Sequence, residues 1–95
     1  MEIKDRIKQL RNEQGMTMDM MAYDMSQRFG INISKGLISK WEKGINDPSL
    51  EYAKYLAMYF NVSLDFLIGL TEIRTPSRIL AYSRGIKSIK KEGVD

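Results

Sequence analysis

Apolar residues recur along this chain at steps of three and four, the spacing that places side chains on one face of a helix. Ile3, Ile7 and Leu10 begin the series and predict a first helix that ends near Gly15. Met21, Ala22, Met25 and Phe29 predict a second, from about Met18 to Phe29, with Thr17 as its N-cap and Gly30 as its stop. Leu37, Ile38 and Trp41 predict a third, entered at Ser34 and left at Gly44. Leu50, Ala53, Leu56, Ala57 and Phe60 predict a fourth, which follows the turn Asn46-Asp47-Pro48-Ser49 and finishes at Asn61. A short fifth follows Ser63, with Leu64 and Leu67 directed at the core and Gly69 at its end. No stretch alternates with the period of two that a half-buried strand shows. The expected fold is all-α, with five helices over residues 1–70.

Residues 71–95 read as a separate basic tail. Thr75-Pro76 is a cap followed by a residue suited to the first helical position. Ile79, Tyr82, Ile86 and Ile89 then follow at helical steps and predict a sixth, amphipathic helix. Gly85 within it costs about 1 kcal/mol of helix propensity relative to Ala. This tail has three expected uses: pairing with a second copy, folding back on its own domain, or adding phosphate contacts through Arg78, Arg84, Lys87, Lys90 and Lys91. A basic amphipathic helix also suits a membrane surface, but the weak apolar face and Gly85 argue against it.

Composition narrows the function. Ninety-five residues suffice for one small domain with a modest core, and no apolar run is long enough for a transmembrane span. The start, Met1-Glu2-Ile3-Lys4-Asp5-Arg6, is charged, unlike a secretory signal. There is no cysteine and no histidine, which removes thiolate metal sites, disulfides and the usual general base. An enzyme would need paired carboxylates in a pocket, and no acidic cluster points to one. The expectation is a cytoplasmic, non-enzymatic protein without metal or cofactor. Residues 1–70 carry nine Lys/Arg against nine Asp/Glu, and residues 71–95 carry six against three, so the tail holds the whole net charge of +3. Contact between residues 1–70 and nucleic acid must therefore come from local clustering of cations.

Such a cluster lies on the third helix. With Leu37, Ile38 and Trp41 inward, Lys35, Ser39, Lys40 and Lys43 point outward, with no carboxylate on that stripe. Cations and hydroxyls on an exposed helix are what a DNA major groove accepts, and Lys can donate to guanine O6 or N7. A charge cluster is also the ordinary solvated face of a helix, so this feature alone leaves both readings open.

The ordered motifs resemble the helix-turn-helix domains of the phage Cro and repressor family over roughly residues 3–70. The matching pieces are Leu10-Arg11, Gly15-Met16-Thr17, Met21-Ala22 and Ile38-Ser39-Lys40-Trp41-Glu42-Lys43-Gly44. They continue with Asp47-Pro48-Ser49-Leu50, Leu56-Ala57 and Phe60-Asn61-Val62-Ser63-Leu64-Asp65. The resemblance implies a lambda-repressor-like fold whose third helix enters the major groove while the second lies across it. It implies base reading by Lys35, Gly36, Ser39 and Lys40. It implies phosphate contact at Thr17, Met18, Lys43, Gly44 and Asn46. It also implies a structural salt bridge between Arg11 and Glu42, tying the first helix to the third. The partner is then double-stranded DNA, bound by a homodimer at a palindromic operator, and the regulator is most similar to phage or prophage repressors. A chain of this length would lack the separate C-terminal domain, and hence the self-cleavage, of larger repressors.

The chain departs from the family pattern in three places. Met18 stands where the family often has Gln, and Gly36 at a frequent polar reading position offers only backbone. The spacing from Ala22 to Ile38 is about six residues longer than usual, which should lengthen the second helix and the following turn around Ser26 to Ile31. Two further features have open readings. Met16, Met18, Met20, Met21 and Met25 read as flexible core filling or as a partner groove. Tyr52, Tyr55 and Tyr59 read as a half-buried flank or as a docking stripe for the tail or a second subunit. The alternative function is an antitoxin-like module that neutralises a protein partner and binds its own promoter.

Overall fold

The computed structural model describes residues 1–76, and these form five helices with no strand among them. The order is α1 (Ile3–Glu13), α2 (Met18–Phe29), α3 (Lys35–Lys43), α4 (Leu50–Phe60) and α5 (Leu64–Leu67). Four of the five start in the same way. Thr17, Ser34, Ser49 and Ser63 hold extended backbone while their hydroxyls accept the amides of Met20, Leu37, Tyr52 and Phe66. Each such cap contributes about 1 kcal/mol by satisfying a donor that the helix leaves orphaned.

The core lies where α1, α2 and α3 meet over α4 and α5. Ile7, Met21, Met25, Ile38, Leu56 and Leu67 are wholly buried, and Trp41 and Phe66 nearly so. Each contributes roughly 1.5–3 kcal/mol through the apolar surface removed from water. The methionine cluster divides accordingly. Met21 and Met25 fill the core, Met16 and Met18 flank it, and Met20 stays 54% exposed.

Two leucines expected in the core are outside it. Leu50 is 77% exposed and Leu64 is 36% exposed. Both are the first residue after a serine cap, at the very start of their helices. Together with Ile3 and Ile68 they line an open apolar groove. In α5 the core positions are Phe66 and Leu67.

The folded unit continues past residue 70. The Ser63 amide donates to the Arg74 carbonyl at 2.7 Å, and the Ser63 hydroxyl donates to the Ile73 carbonyl at 3.2 Å. Arg6, only 2% exposed, stacks on Phe66 at 3.8 Å and donates to Glu72 at 3.0 Å. Arg74 grips Glu13 through two hydrogen bonds of 2.8 and 2.6 Å. Residues 71–74 are thus strapped across α1 and α5. The expected sixth helix, with Ile79, Tyr82, Ile86 and Ile89, lies outside the described residues.

Candidate nucleic-acid interface

Helix α3 is held at both ends by local chemistry. Ser34 caps its start, with Oγ 3.1 Å from the Leu37 amide. At its end Gly44 adopts φ +74°, and the amides of Gly44 and Ile45 return to the carbonyls of Trp41 and Lys40 at 3.1 and 2.9 Å. This double closure needs a left-handed residue, which is why a glycine stands there. Ile38 and Trp41 anchor the inner face. Lys35, Gly36, Lys40 and Lys43 are exposed on the outer face, and Ser39 is half-buried between them.

The electrostatics of this face differ along its length. Lys35 lies 3.8 Å from Asp19, a carboxylate in the first turn of α2. The expected carboxylate-free stripe therefore holds within α3 but not across the surface, because packing of α2 on α3 brings Asp19 alongside. Lys40 and Lys43 take part in no ion pair among the described residues. The start of α2 shares this end of the domain. Thr17 caps it at 3.0 Å to the Met20 amide, and Met18 turns its side chain towards the core. Gly44 and Asn46, both exposed, lie in the loop after α3.

Arg11 fixes α3 from behind. Its Nε donates to Glu42 Oε2 at 2.7 Å and its Nη2 to Glu42 Oε1 at 2.9 Å, while Nη1 donates to the Met16 carbonyl at 2.8 Å. One guanidinium thus joins α1, the α1–α2 turn and α3. The hydrogen bond that Arg11 donates to Glu42 raises the Arg11 pKa above its ordinary value, against the opposing effect of burial.

The lengthened segment between α2 and α3 is well tied. Gly30 stops α2 with φ +64°. The Ser26 hydroxyl donates to the Ile33 carbonyl at 3.1 Å and accepts the Ile33 amide at 3.3 Å, so one side chain satisfies both backbone groups of a buried residue. Phe29 packs against Tyr55 and Tyr59, with ring centroids 5.0 and 6.4 Å away. The Tyr52 hydroxyl donates to the Asn32 carbonyl at 3.2 Å, and its ring leans on Trp41. The tyrosine stripe of α4 is half-buried, and these contacts of its rings are made within the domain. The Tyr59 hydroxyl donates to Asp24 at 2.7 Å. Burial first, and then the negative Asp24, push its pKa up to about 12.

Several of these groups escaped sequence reasoning. Asp19, Asp24 and Arg6 act through partners 16, 35 and 66 residues distant in sequence. No local pattern encodes such pairs, although a buried arginine one position before Ile7 is signalled by its place on the apolar stripe. Among the described residues no group of three or more His, Cys, Asp or Glu is arranged to hold a metal ion. No helix among them is long and apolar enough to cross a membrane.

Comparison with known proteins agrees with this geometry. A family model described as helix-turn-helix matches residues 7–67. The HTH-type transcriptional activator BcrR of Enterococcus faecalis is 30% identical over 91 residues, which cover 96% of this chain and 40% of that protein. The chain thus spans well under half the length of this relative.

Proposed function

Since this chain belongs to the Cro/repressor-type helix-turn-helix family, we propose that it is a sequence-specific regulator of transcription that inserts α3 into the DNA major groove. The observation that carries this reading is the state of α3: capped at both ends, locked from behind by Arg11 and Glu42, and presenting lysines outward. A reading element that is rigid before DNA arrives avoids an ordering cost that would subtract from affinity.

In this reading Lys35, Gly36, Ser39 and Lys40 face base edges, with Lys40 donating to guanine O6 or N7. Thr17, Met18, Lys43, Gly44 and Asn46 face phosphates. Met18 serves through its backbone amide at the start of α2, where uncommitted amides and the helix dipole favour an anion. Two copies bind a palindromic operator with half-sites about 34–36 Å apart, one helical turn of DNA, or a multiple of it. The exposed groove around Leu50, Leu64 and Ile68 offers apolar surface for the second copy.

Bound in this way, the protein represses by occupying the site a polymerase needs. The Enterococcus relative is named an activator, and the same contacts serve activation where the bound protein touches polymerase. Selection of random duplex DNA by the purified protein at near-physiological salt tests the reading. A two-fold symmetric consensus is the expected result. Enrichment no better than background would remove sequence-specific binding and favour the protein-partner alternative. A reporter driven from the selected site then gives the sign of regulation.

A further inference from the structure

Helix α1 brings one more cation to the end of α3. Gly44 leaves a notch where a side chain would stand, and Lys4 runs through it. Its Cδ lies 2.9 Å and its Nζ 3.5 Å from the position a Cβ on Gly44 would occupy. The ammonium is therefore carried to the loop that follows α3, the loop that also holds Asn46. The Lys4 side chain is half-buried, so its stem is packed. Among the described residues its head makes no ion pair, those present using Arg6, Arg11, Lys35 and Arg74. An ammonium has three donors, and Asp47, the carboxylate of this loop, makes no ion pair with it.

Two roles fit a cation at this place. It can favour the negative end of the α3 dipole, or it can meet an external anion. The first is already partly met, since the amides of Gly44 and Ile45 return to the carbonyls of Trp41 and Lys40. The second matches the need of a domain whose first 70 residues are neutral overall. Lys35 already shares its charge with Asp19, so the interface gains most from cations held in place and unpaired.

We propose that Lys4 is a further phosphate-contact residue, reaching the DNA backbone from α1 across the face of Gly44. This rests on the reading of α3 as the major-groove helix. Each phosphate contact releases condensed counterions, so binding falls with salt at a slope of about −0.9 per contact on a log–log plot. The test measures affinity for the selected operator and for a scrambled duplex across a salt series, using the intact protein and its Lys4→Gln, Lys4→Arg and Lys54→Gln forms. Lys4→Gln is expected to flatten the slope by about 0.9 on both duplexes and to weaken binding about fivefold near 0.15 M salt. Lys4→Arg should keep the parent slope. Lys54 lies over Tyr55 on α4, and Lys54→Gln should also keep it. An unchanged slope for Lys4→Gln, with or without a uniform loss of affinity, overturns the proposal and leaves Lys4 as a support for the end of α3. A parent protein with no salt-dependent binding to either duplex would remove the underlying reading as well, and the two failures are thereby told apart.

Discussion

Arg11 and Glu42 meet through two parallel hydrogen bonds, and the Glu42 side chain is only 3% exposed. A bidentate pair of this kind fixes both planes at once, so the orientation of α3 is set by a residue of α1. Removing either partner strands the other's charge in a poorly solvated site. Glu42→Ala and Arg11→Met are each expected to destabilise the domain by about 3 kcal/mol. The double replacement should cost clearly less than the two combined, as read by urea unfolding. Additive losses would show that the pair is not coupled.

In the proposed reading Lys40 meets a base edge and Lys43 a phosphate. Lys40→Ala should cost about 1–3 kcal/mol at one base pair of the operator and relax the preference there. Lys43→Ala should weaken binding to every duplex alike and reduce the salt slope. The measurement is a binding profile over all single-base variants of the operator. A uniform profile for Lys40→Ala would contradict its assignment to a base edge.

Tyr59 supplies a pH dependence at the alkaline end. Its pKa is raised from the ordinary 10.0 to about 12, by burial and by the hydrogen bond to Asp24. A raised pKa means that the folded state binds the proton more tightly than the unfolded state. The associated stability is complete below about pH 10 and is lost as pH climbs towards 12. Wild-type protein should therefore lose its advantage over Tyr59→Phe across that interval. Ultraviolet titration should show one tyrosine ionising near pH 12. Parallel stability curves for the two proteins would exclude the effect.

The lengthened turn should be among the firmer parts of the surface. Ser26→Ala leaves the amide and carbonyl of buried Ile33 without their partner, at a cost of roughly 1–3 kcal/mol. Phe29→Ala should cost roughly 2 kcal/mol, below the ~3–5 of a fully buried phenylalanine. Amide hydrogen exchange at Ile33 should be slow in the parent and accelerated in both variants. Fast exchange in the parent would mean that the clamp does not hold.

Most of the helical framework is legible in the sequence because its signals are local. Thr17, Ser34, Ser49 and Ser63 announce helix starts, and Gly30, Gly44 and Asn61 announce ends, through bonds that span three or four residues. The periodicity also separates Ile38 and Trp41 from Lys40 and Lys43. It fails at Leu50 and Leu64, since phase on a helix says nothing about whether a neighbour reaches that turn. It is silent on Asp19 beside Lys35, on Asp24 beside Tyr59 and on Arg6 beneath Glu72, because those encounters depend on how whole helices pack. The outward face of α3 could be listed from sequence. That Asp19 shields one end of it, while Lys4 extends the other, could not.

The two-way bond between Ser26 and Ile33 has a consequence for how this domain can be re-engineered. Because the long connection is clamped, α3 and the segment before it behave as one inherited part. In the proposed reading, transplanting residues 35–43 alone into a relative with a shorter turn would move the letters of the recognition surface without its pose. A functional transfer of specificity has to begin no later than Ser26, so the unit of exchange is the clamp together with the helix it delivers.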